Sequence, residues 1–459
     1  MTYVPSAHGF RTFLVLWTSQ SLSVIGSGMT GFALNVYLAQ TLYPAADQKA
    51  ELAFAFTALN LAFAIPFIFG GPLAGAWVDR LDRRIILLAA NGASAVLTLA
   101  MLILMLGGAL DVWALIVIGI LGSSIGTFHF AAFDASYAML VPERLLARAN
   151  GMMWTTWSLA GIISPALAAF ILAWPGLGRQ GVLVFAPLGD MGDATPLVIA
   201  IDAVTFVVAA LALVFVQVPS PVRKDLTKGA GPKPSLWSDI REGVLFIWDR
   251  RPVLWLLGTF TVANLAVAPA GVLVPLLVKF NLVADWQAQG HTFDTALALL
   301  GVTAGVGGLL GGLLISTWGG LERRRAYGVI FPMLVAGAAQ LVYGISPLLL
   351  VCAAAAFIKA FMEPIFNAHS QAIWQSITPR ELQGRVFSVR RLIAQATRPL
   401  GTAVAGMAAG VLDPGYVYAA LGLIWLAFCV AQLFNPYLLH VEARTEGIAA
   451  ASPRAKMPW

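Results

Sequence analysis

The chain has 459 residues, of which 59% are hydrophobic and 11% charged. A soluble domain carries about 25% charged residues, so this composition excludes two or three soluble domains and requires an exterior that faces lipid. The net charge of +6 is explained by membrane topology, as the loops show below, and needs no nucleic-acid partner.

The first apolar run, residues 13–37, follows Thr2 to Arg11. It is too long for a signal h-region and lacks a small-residue cleavage site, so it reads as a retained helix. Further runs follow at 52–77, 85–106, 112–133, 151–174, 196–217, 253–280, 296–318, 327–345, 348–369, 388–411 and 416–438. Each approaches the roughly 20 apolar residues that a bilayer core requires. Ile85 to Leu106 and Trp113 to Phe133 are apolar on every face, where a barrel strand would alternate. An open sheet would leave its edge unpaired in lipid. The expected fold class is an all-α membrane protein of twelve transmembrane helices.

The longest polar stretch, Val218 to Arg251, falls at mid-chain and reads as a linker. This predicts a six-helix bundle over 1–217, a cytoplasmic linker over 218–252, a second six-helix bundle over 253–439 and a disordered tail over 440–459. Within the linker, Trp237, Ile240, Val244, Ile247 and Trp248 keep the spacing of an interfacial helix. With the N-terminus placed in the cytoplasm, only Lys49, Arg179 and Lys279 of the 28 Lys and Arg fall outside, and Lys359 and Arg398 fall within spans. The rest are cytoplasmic, among them Arg144, Arg148 and Arg325. Such a bias sets orientation and puts both termini on the cytoplasmic side of a cell inner (plasma) membrane. Cys352 and Cys429 sit in apolar runs, as small core residues do.

An internal repeat organises the chain. Leu81-Asp82-Arg83-Arg84 recurs as Leu321-Glu322-Arg323-Arg324, 240 residues on, with Gly71 matched by Gly311. Leu140-Val141-Pro142-Glu143-Arg144-Leu145 corresponds to Ile377-Thr378-Pro379-Arg380-Glu381-Leu382 at 237 residues, and Arg148 and Arg385 keep that offset. Two loops giving nearly one offset point to two equivalent halves, a parallel repeat of six helices.

The loop after the second span has a mechanical reading. Gly71, Pro72 and Gly75 would let that helix approach a neighbour closely and leave by a tight turn. Asp79 would sit at the helix C-terminus, where an acid needs a partner; Arg385 and Arg390 of the other half are candidates. Such a pair would hold the cytoplasmic side shut. Alternatively Arg80, Arg83 and Arg84 serve topology alone.

These residues resemble a known family. Gly75-Ala-Trp-Val-Asp79-Arg80-Leu-Asp82-Arg83-Arg84 is similar to the loop 2–3 signature of the major facilitator superfamily, which usually has Gly in place of Asp82. Three later segments resemble its macrolide-efflux, drug:proton antiporter branch: Leu140-Val-Pro-Glu-Arg with Arg148-Ala-Asn150-Gly151, Ser316-Thr-Trp-Gly-Gly320, and Ile373-Trp-Gln375 with Gln383-Gly384-Arg385-Val-Phe387. The fourth span lacks the arginine common in proton antiporters, and the fifth-span signature is reduced to Gly161-Ile-Ile-Ser164-Pro165. The resemblance implies two pseudo-symmetric six-helix bundles exporting an amphipathic small molecule, with protons as the counter-ion. It also implies that Glu322, Arg323, Arg324 and Gly384 share the gating role of the first loop.

Ionisable groups at membrane depth are functional candidates, because each costs about 2.5–3.5 kcal/mol at a helix centre on insertion scales. Lys359 and Glu363 are four apart on the tenth span and can pair, and Arg398 reaches a similar depth. Either Glu363 exchanges a proton or contacts a cationic substrate, or the three form a permanently ionised structural network. Asp202 is a cavity acid or an interfacial group reaching water. Asp134 and His129 lie toward the cytoplasm, where His129 is a packing residue or a relay. Gln20, Asn35, Asn60 and Asn264 are uncharged polar groups that line the cavity or bond between helices.

No Gly-Lys-Ser/Thr phosphate loop, no soluble ATPase-sized domain and no metal-ligand spacing occur in the sequence. Transport would then draw on a gradient, without a cofactor. The expected partners are a small-molecule substrate, protons and the lipid bilayer, and the expected state is a monomer. The rival functions are uptake or lipid flipping on the same fold, a receptor without turnover, and a membrane enzyme built on Asp134 and His129.

Overall fold

The protein is described here by a computed structural model, which defines residues 9–78, 80–179, 193–216, 236–379, 382–439 and 441. All regular structure among them is helical. The first half contains α1 (Gly9–Tyr37), α2 (Lys49–Val78), α3 (Arg83–Leu106), α4 (Val112–Leu140), α5 (Glu143–Arg179) and α6 (Thr195–Val214). After α7 (Leu236–Trp248) come α8 (Arg251–Val267), α9 (Ala270–Leu276), α10 (Val283–Ala288), α11 (Phe293–Trp318), α12 (Arg325–Ile345), α13 (Leu349–Ile377), α14 (Gln383–Val411), α15 (Pro414–Gln432) and α16 (Pro436–Leu439).

Eleven segments are long and apolar enough to cross a membrane, with α8, α9 and a following π turn counting as one. The twelfth crossing is α14. Its 29 residues reach about 43 Å, enough for a hydrocarbon core of about 30 Å, but Arg385, Arg390, Arg391 and Arg398 lower its hydropathy. The large side chains left exposed include Leu73, Val96, Ile103 and Met407, each about two-thirds accessible. Such a surface suits lipid rather than water. The protein is a multi-pass membrane protein.

Several helices overrun their expected ends, among them α13, which runs on to Ile377. The loop expected around Arg144 to Asn150 is the start of α5, a helix of 37 residues, and α4 continues to Leu140. At about 55 Å, α5 is longer than the bilayer core, so its polar first turns project from it.

The packing order gives the repeat its three-dimensional form. In the first half α2 packs on α4, α4 on α3, α3 on α6, α6 on α1, and α1 on α5. In the second, α11 packs on α13, α13 on α12, α12 on α15, α15 on α8, and α8 on α14. Crossing for crossing the two orders are identical. The halves meet as α2 against α14 and α5 against α11, the reciprocal contact a two-fold relation requires. Equivalent π turns, Leu38–Leu42 and Leu277–Asn281, close the first and seventh crossings.

The buried core is not uniform along the membrane normal. At the face bearing the π turns, one cluster runs through both halves, joining Val36, Phe56 and Ile199 to Leu273, Leu297 and Ala405. Toward the opposite face, which carries Arg80, Arg84 and Arg323, it divides. One cluster there belongs to the second half and α7, around Ile330, Trp374 and Trp425. The other belongs to the first half, around Phe13, Leu87 and Leu213.

Close helix approach is made by glycines of the second half. A Cβ on Gly307 or Gly311 would overlap the carbonyl oxygens of Phe357 and Phe361 on α13. A Cβ on Gly301 would stand 3.2 Å from Pro165 of α5, and one on Gly305 2.6 Å from Ile162. The expected close approach at Gly71 and Gly75 is not made: among the described residues nothing lies within 4 Å of a Cβ at either. Replacing Gly311 by Val should lower the thermal unfolding temperature of the detergent-solubilised protein, since overpacking costs about 1–3 kcal/mol. Gly75→Ala in the same assay should leave it unchanged or raised.

Candidate functional site

Three polar constellations occupy the interior, and a fourth lies across the interface of the halves. In the first half, Asp202 of α6 is 3% exposed. Its Oδ2 accepts from Thr30 Oγ1 at 2.9 Å, and its Oδ1 accepts from Ser27 Oγ at 3.2 Å and Thr205 Oγ1 at 3.4 Å. Ser27 and Thr30 lie on α1, so the carboxylate joins α1 to α6. Gly26 makes room: a Cβ there would stand 2.8 Å from Asp202 Oδ1. The interfacial alternative for Asp202 is thereby overturned, because helix packing closes over the carboxylate. It borders a cavity of about 400 Å³ whose lining includes Asn35, Asn60, Ser94, Thr98 and Ser123.

About two turns toward the basic face, His129 of α4 meets Gln20 of α1. The Gln20 Oε1 atom only accepts, so His129 Nε2 donates to it at 2.8 Å, and Asn91 Nδ2 of α3 donates at 3.4 Å. The imidazole also stacks on Phe133. Three helices are thus tied at one oxygen. Asp134 stands apart and exposed, so it joins His129 in no common site.

In the second half, Lys359 Nζ of α13 donates to Tyr418 Oη of α15 at 2.8 Å and Gln340 Oε1 of α12 at 3.4 Å. The ammonium turns to these neighbours rather than to Glu363. Arg398 is exposed, and no ion pair joins it, Lys359 and Glu363 among the described residues. Among the described residues no hydrogen bond joins the three, and the lysine bonds oxygens of α12 and α15 instead. Asn264 donates only to its own helix, at Phe260 O.

At the basic face the loop residues have local work. Asp82 caps α3, accepting from Arg84 N at 2.8 Å and Ile85 N at 3.4 Å, a stabilising position for an acid. Arg84 donates to Leu213 O at 3.0 Å and Val214 O at 2.6 Å, placing a cation on the free carbonyls of α6. Arg83 is buried and donates to Ala135 O. Arg80, Glu322, Arg323 and Arg324 are exposed, and Gly384 opens α14. Asp79 lies outside the described residues. Its two suggested partners are engaged within the second half: Arg385 is paired with Glu242 of α7, and Arg390 bonds Gln371 Oε1 at 2.8 Å and covers the Trp374 ring.

A histidine not singled out in the sequence organises the matching loop. Leu321 N donates to His369 Nε2 at 2.8 Å, so Nδ1 carries the proton and donates to Ile365 O at 2.7 Å. Gly320, at φ +80°, and Gly328 both approach the ring so closely that a Cβ would collide. No spacing in the sequence links residues 320, 328 and 369; the pairing exists only through the packing of α11, α12 and α13.

At the far face the two halves bond directly. Lys279 Nζ donates to Ala39 O at 2.6 Å and to Tyr43 O. Lys49 Nζ donates to Leu412 O at 3.2 Å, and Asn60 Nδ2 to Gly271 O at 3.4 Å. Each lysine thus sits on carbonyls ending a helix of the opposite half, where a cation is favoured.

The model of the Major Facilitator Superfamily matches residues 16–389. The chain belongs to that superfamily. Among its relatives, macrolide efflux protein A of Streptococcus pyogenes is 24% identical over 429 residues, covering 91% of this chain and 94% of that protein. The multidrug efflux pump Tap of Mycolicibacterium fortuitum is 27% identical over 392 residues, covering 83% and 87%. Solved structures agree in fold. A point mutant of the nucleoside transporter NupG superposes with TM-score 0.68 at 13% identity, covering 92% of this chain and 99% of that one. A bacterial homologue of the lysosomal transporter Spinster gives 0.64 at 14% identity, covering 96% and 98%. As a superfamily transporter the chain handles a small molecule in the membrane.

Replacing His369 by Leu would remove the acceptor of the Leu321 N–H, at a net cost of about 0.5–1.5 kcal/mol. Limited trypsin digestion of the purified variant should cleave several-fold faster at Arg323 to Arg325 than in the wild type. Equal rates would deny His369 this role.

Proposed function

We propose that this transporter exports an amphipathic small molecule, of macrolide, drug or siderophore type, by alternating access with proton antiport. The basic face is cytoplasmic in this reading, following the Lys/Arg bias of the loops. One observation carries it: the hydrophobic core is continuous across the halves at the far face and divided at the basic face. That is the expected form of a carrier closed outside and open inside. The export direction is supported by the efflux function named for relatives that span most of the chain.

Rocking the halves would break the far-face bonds and bring the basic-face loops together. Lys49, Lys279 and Asn60 are then the outer latch, and Asp79, Arg80, Arg323, Arg324, Arg385 and Arg390 supply the inner one. Each latch bond is worth about 0.5–1.5 kcal/mol net. Removing both lysines (Lys49→Ala with Lys279→Ala) should shift the population toward the outward-open form by roughly tenfold, since 1.4 kcal/mol is one decade. Cysteine cross-linking between residues 46 and 412, placed in the two variants, would read this as a fall in yield. An unchanged yield would remove the lysines from the gate.

The transport reading is tested in proteoliposomes of defined orientation with erythromycin and a cationic dye. Efflux toward the far face, accelerated by an imposed inward proton gradient and collapsed by protonophore, is the expected result. Accumulation in the opposite direction would make the protein an importer. Transport indifferent to the proton gradient would end the antiport reading while leaving the carrier.

A further inference from the structure

Two acids lie deep in the interior, Asp202 and Glu363, and their surroundings differ in kind. Glu363 shares its helix with Lys359 one turn away, and Arg398 of α14 lies at a similar depth. Asp202 has only hydroxyl partners, those of Ser27, Thr30 and Thr205. The helices packed on α6 are α3, α1 and α5, and their charged residues lie near their ends: Arg83 and Arg84 on α3, Arg11 on α1, and Glu143, Arg144, Arg148 and Arg179 on α5. On α4, which also borders the cavity, His129 is engaged with Gln20, Asp134 lies beyond it, and Asp111 precedes the far end. Among the described residues, no Lys, Arg or His lines the cavity.

A buried carboxylate is ordinarily paired with a cation, or neutral. Hydroxyls are the partners that suit both states, because each donates one proton and accepts two. With the carboxylate ionised, Ser27 and Thr30 donate to it. The Thr205 hydroxyl, 3.4 Å from Oδ1, donates to Asp202 O at 2.7 Å and can turn to the carboxylate. With it protonated, one hydroxyl turns and accepts from the new O–H. The carboxyl O–H bond forms as one O–H bond of a hydronium ion reaching the cavity breaks, leaving water. A guanidinium or ammonium partner could not reverse in this way.

The site is also placed to affect the gate. Asn60 lines the same cavity and donates to Gly271 O of the other half. On the basic side, α1 continues as a polar stripe through Ser23 and Gln20 to His129, all on one face at helical spacing.

We propose that Asp202, within the cavity of the first half, is the site that takes up and releases the coupling proton, with Ser27, Thr30 and Thr205 as reversible partners. This rests on the antiport reading, and the experiment keeps the two apart. Infrared difference spectra of the full-length protein in liposomes, recorded between acid and alkaline buffer without substrate, report carboxyl protonation directly. The expected result is a titrating carboxylic-acid band that is lost in Asp202→Asn, kept in Glu363→Gln, and unmoved when choline replaces sodium. Persistence of every titrating band in Asp202→Asn overturns the proposal, as does a sodium-dependent shift, which would make a metal cation the ligand.

Should Asp202→Asn misfold, Ser27→Ala with Thr30→Val serves instead: removing two donors must move the midpoint of the band, and an unmoved midpoint overturns the proposal. In the transport assay, Asp202→Asn should lose the acceleration of erythromycin efflux by the proton gradient. Wild type lacking that acceleration ends the antiport reading and this proposal with it. Acceleration persisting in Asp202→Asn ends this proposal alone.

Discussion

In hydrocarbon there is no water to satisfy a polar group, so each such group in a spanning helix must find its partner on a neighbouring helix. The arrangement of this transporter follows from that constraint. Gln20, Asp202, Lys359 and Gln340 would each be costly on an isolated helix, and each is satisfied by a helix from the same half. The polar contacts therefore fix neighbours within a bundle and leave few obligations between bundles. What joins the halves is concentrated at one end: a shared apolar core, two lysines on helix-terminal carbonyls, and Asn60.

The interior contacts also differ in reversibility. Lys359 lies between a phenol and an amide, groups that suit a permanent cation. The hydroxyls around Asp202 can donate or accept. Two halves that share one packing order therefore hold different chemistry at comparable depth. A repeat preserves helix neighbours, which depend on small residues and shape, while individual side chains remain free to diverge.

The basic loops are likewise held by contacts within single bundles. Asp82 caps α3. Arg84 closes the carbonyl end of α6, and His369 anchors the equivalent loop of the second half. These bonds hold each loop to its own bundle, so a rocking motion could carry the loops as rigid pieces. Gly71 and Gly75 face open space, while their counterpart Gly311 packs tightly on α13 of its own half.

The sequence by itself determined the membrane class, the twelve crossings, the two-half repeat and the superfamily. All of these rest on composition and on motifs read locally along the chain. It placed Asp202, His129, Gln20 and Asn60 among the polar groups of interest, since a polar residue in an apolar run is conspicuous. Only the tertiary structure decided their partners. That Asp202 meets hydroxyls of α1, that Lys359 turns to Tyr418 instead of Glu363, and that His369 holds Leu321 depend on helices distant in sequence. A side chain in a helix can point to neighbours on either side, and which neighbours stand there is set by the packing of the whole bundle.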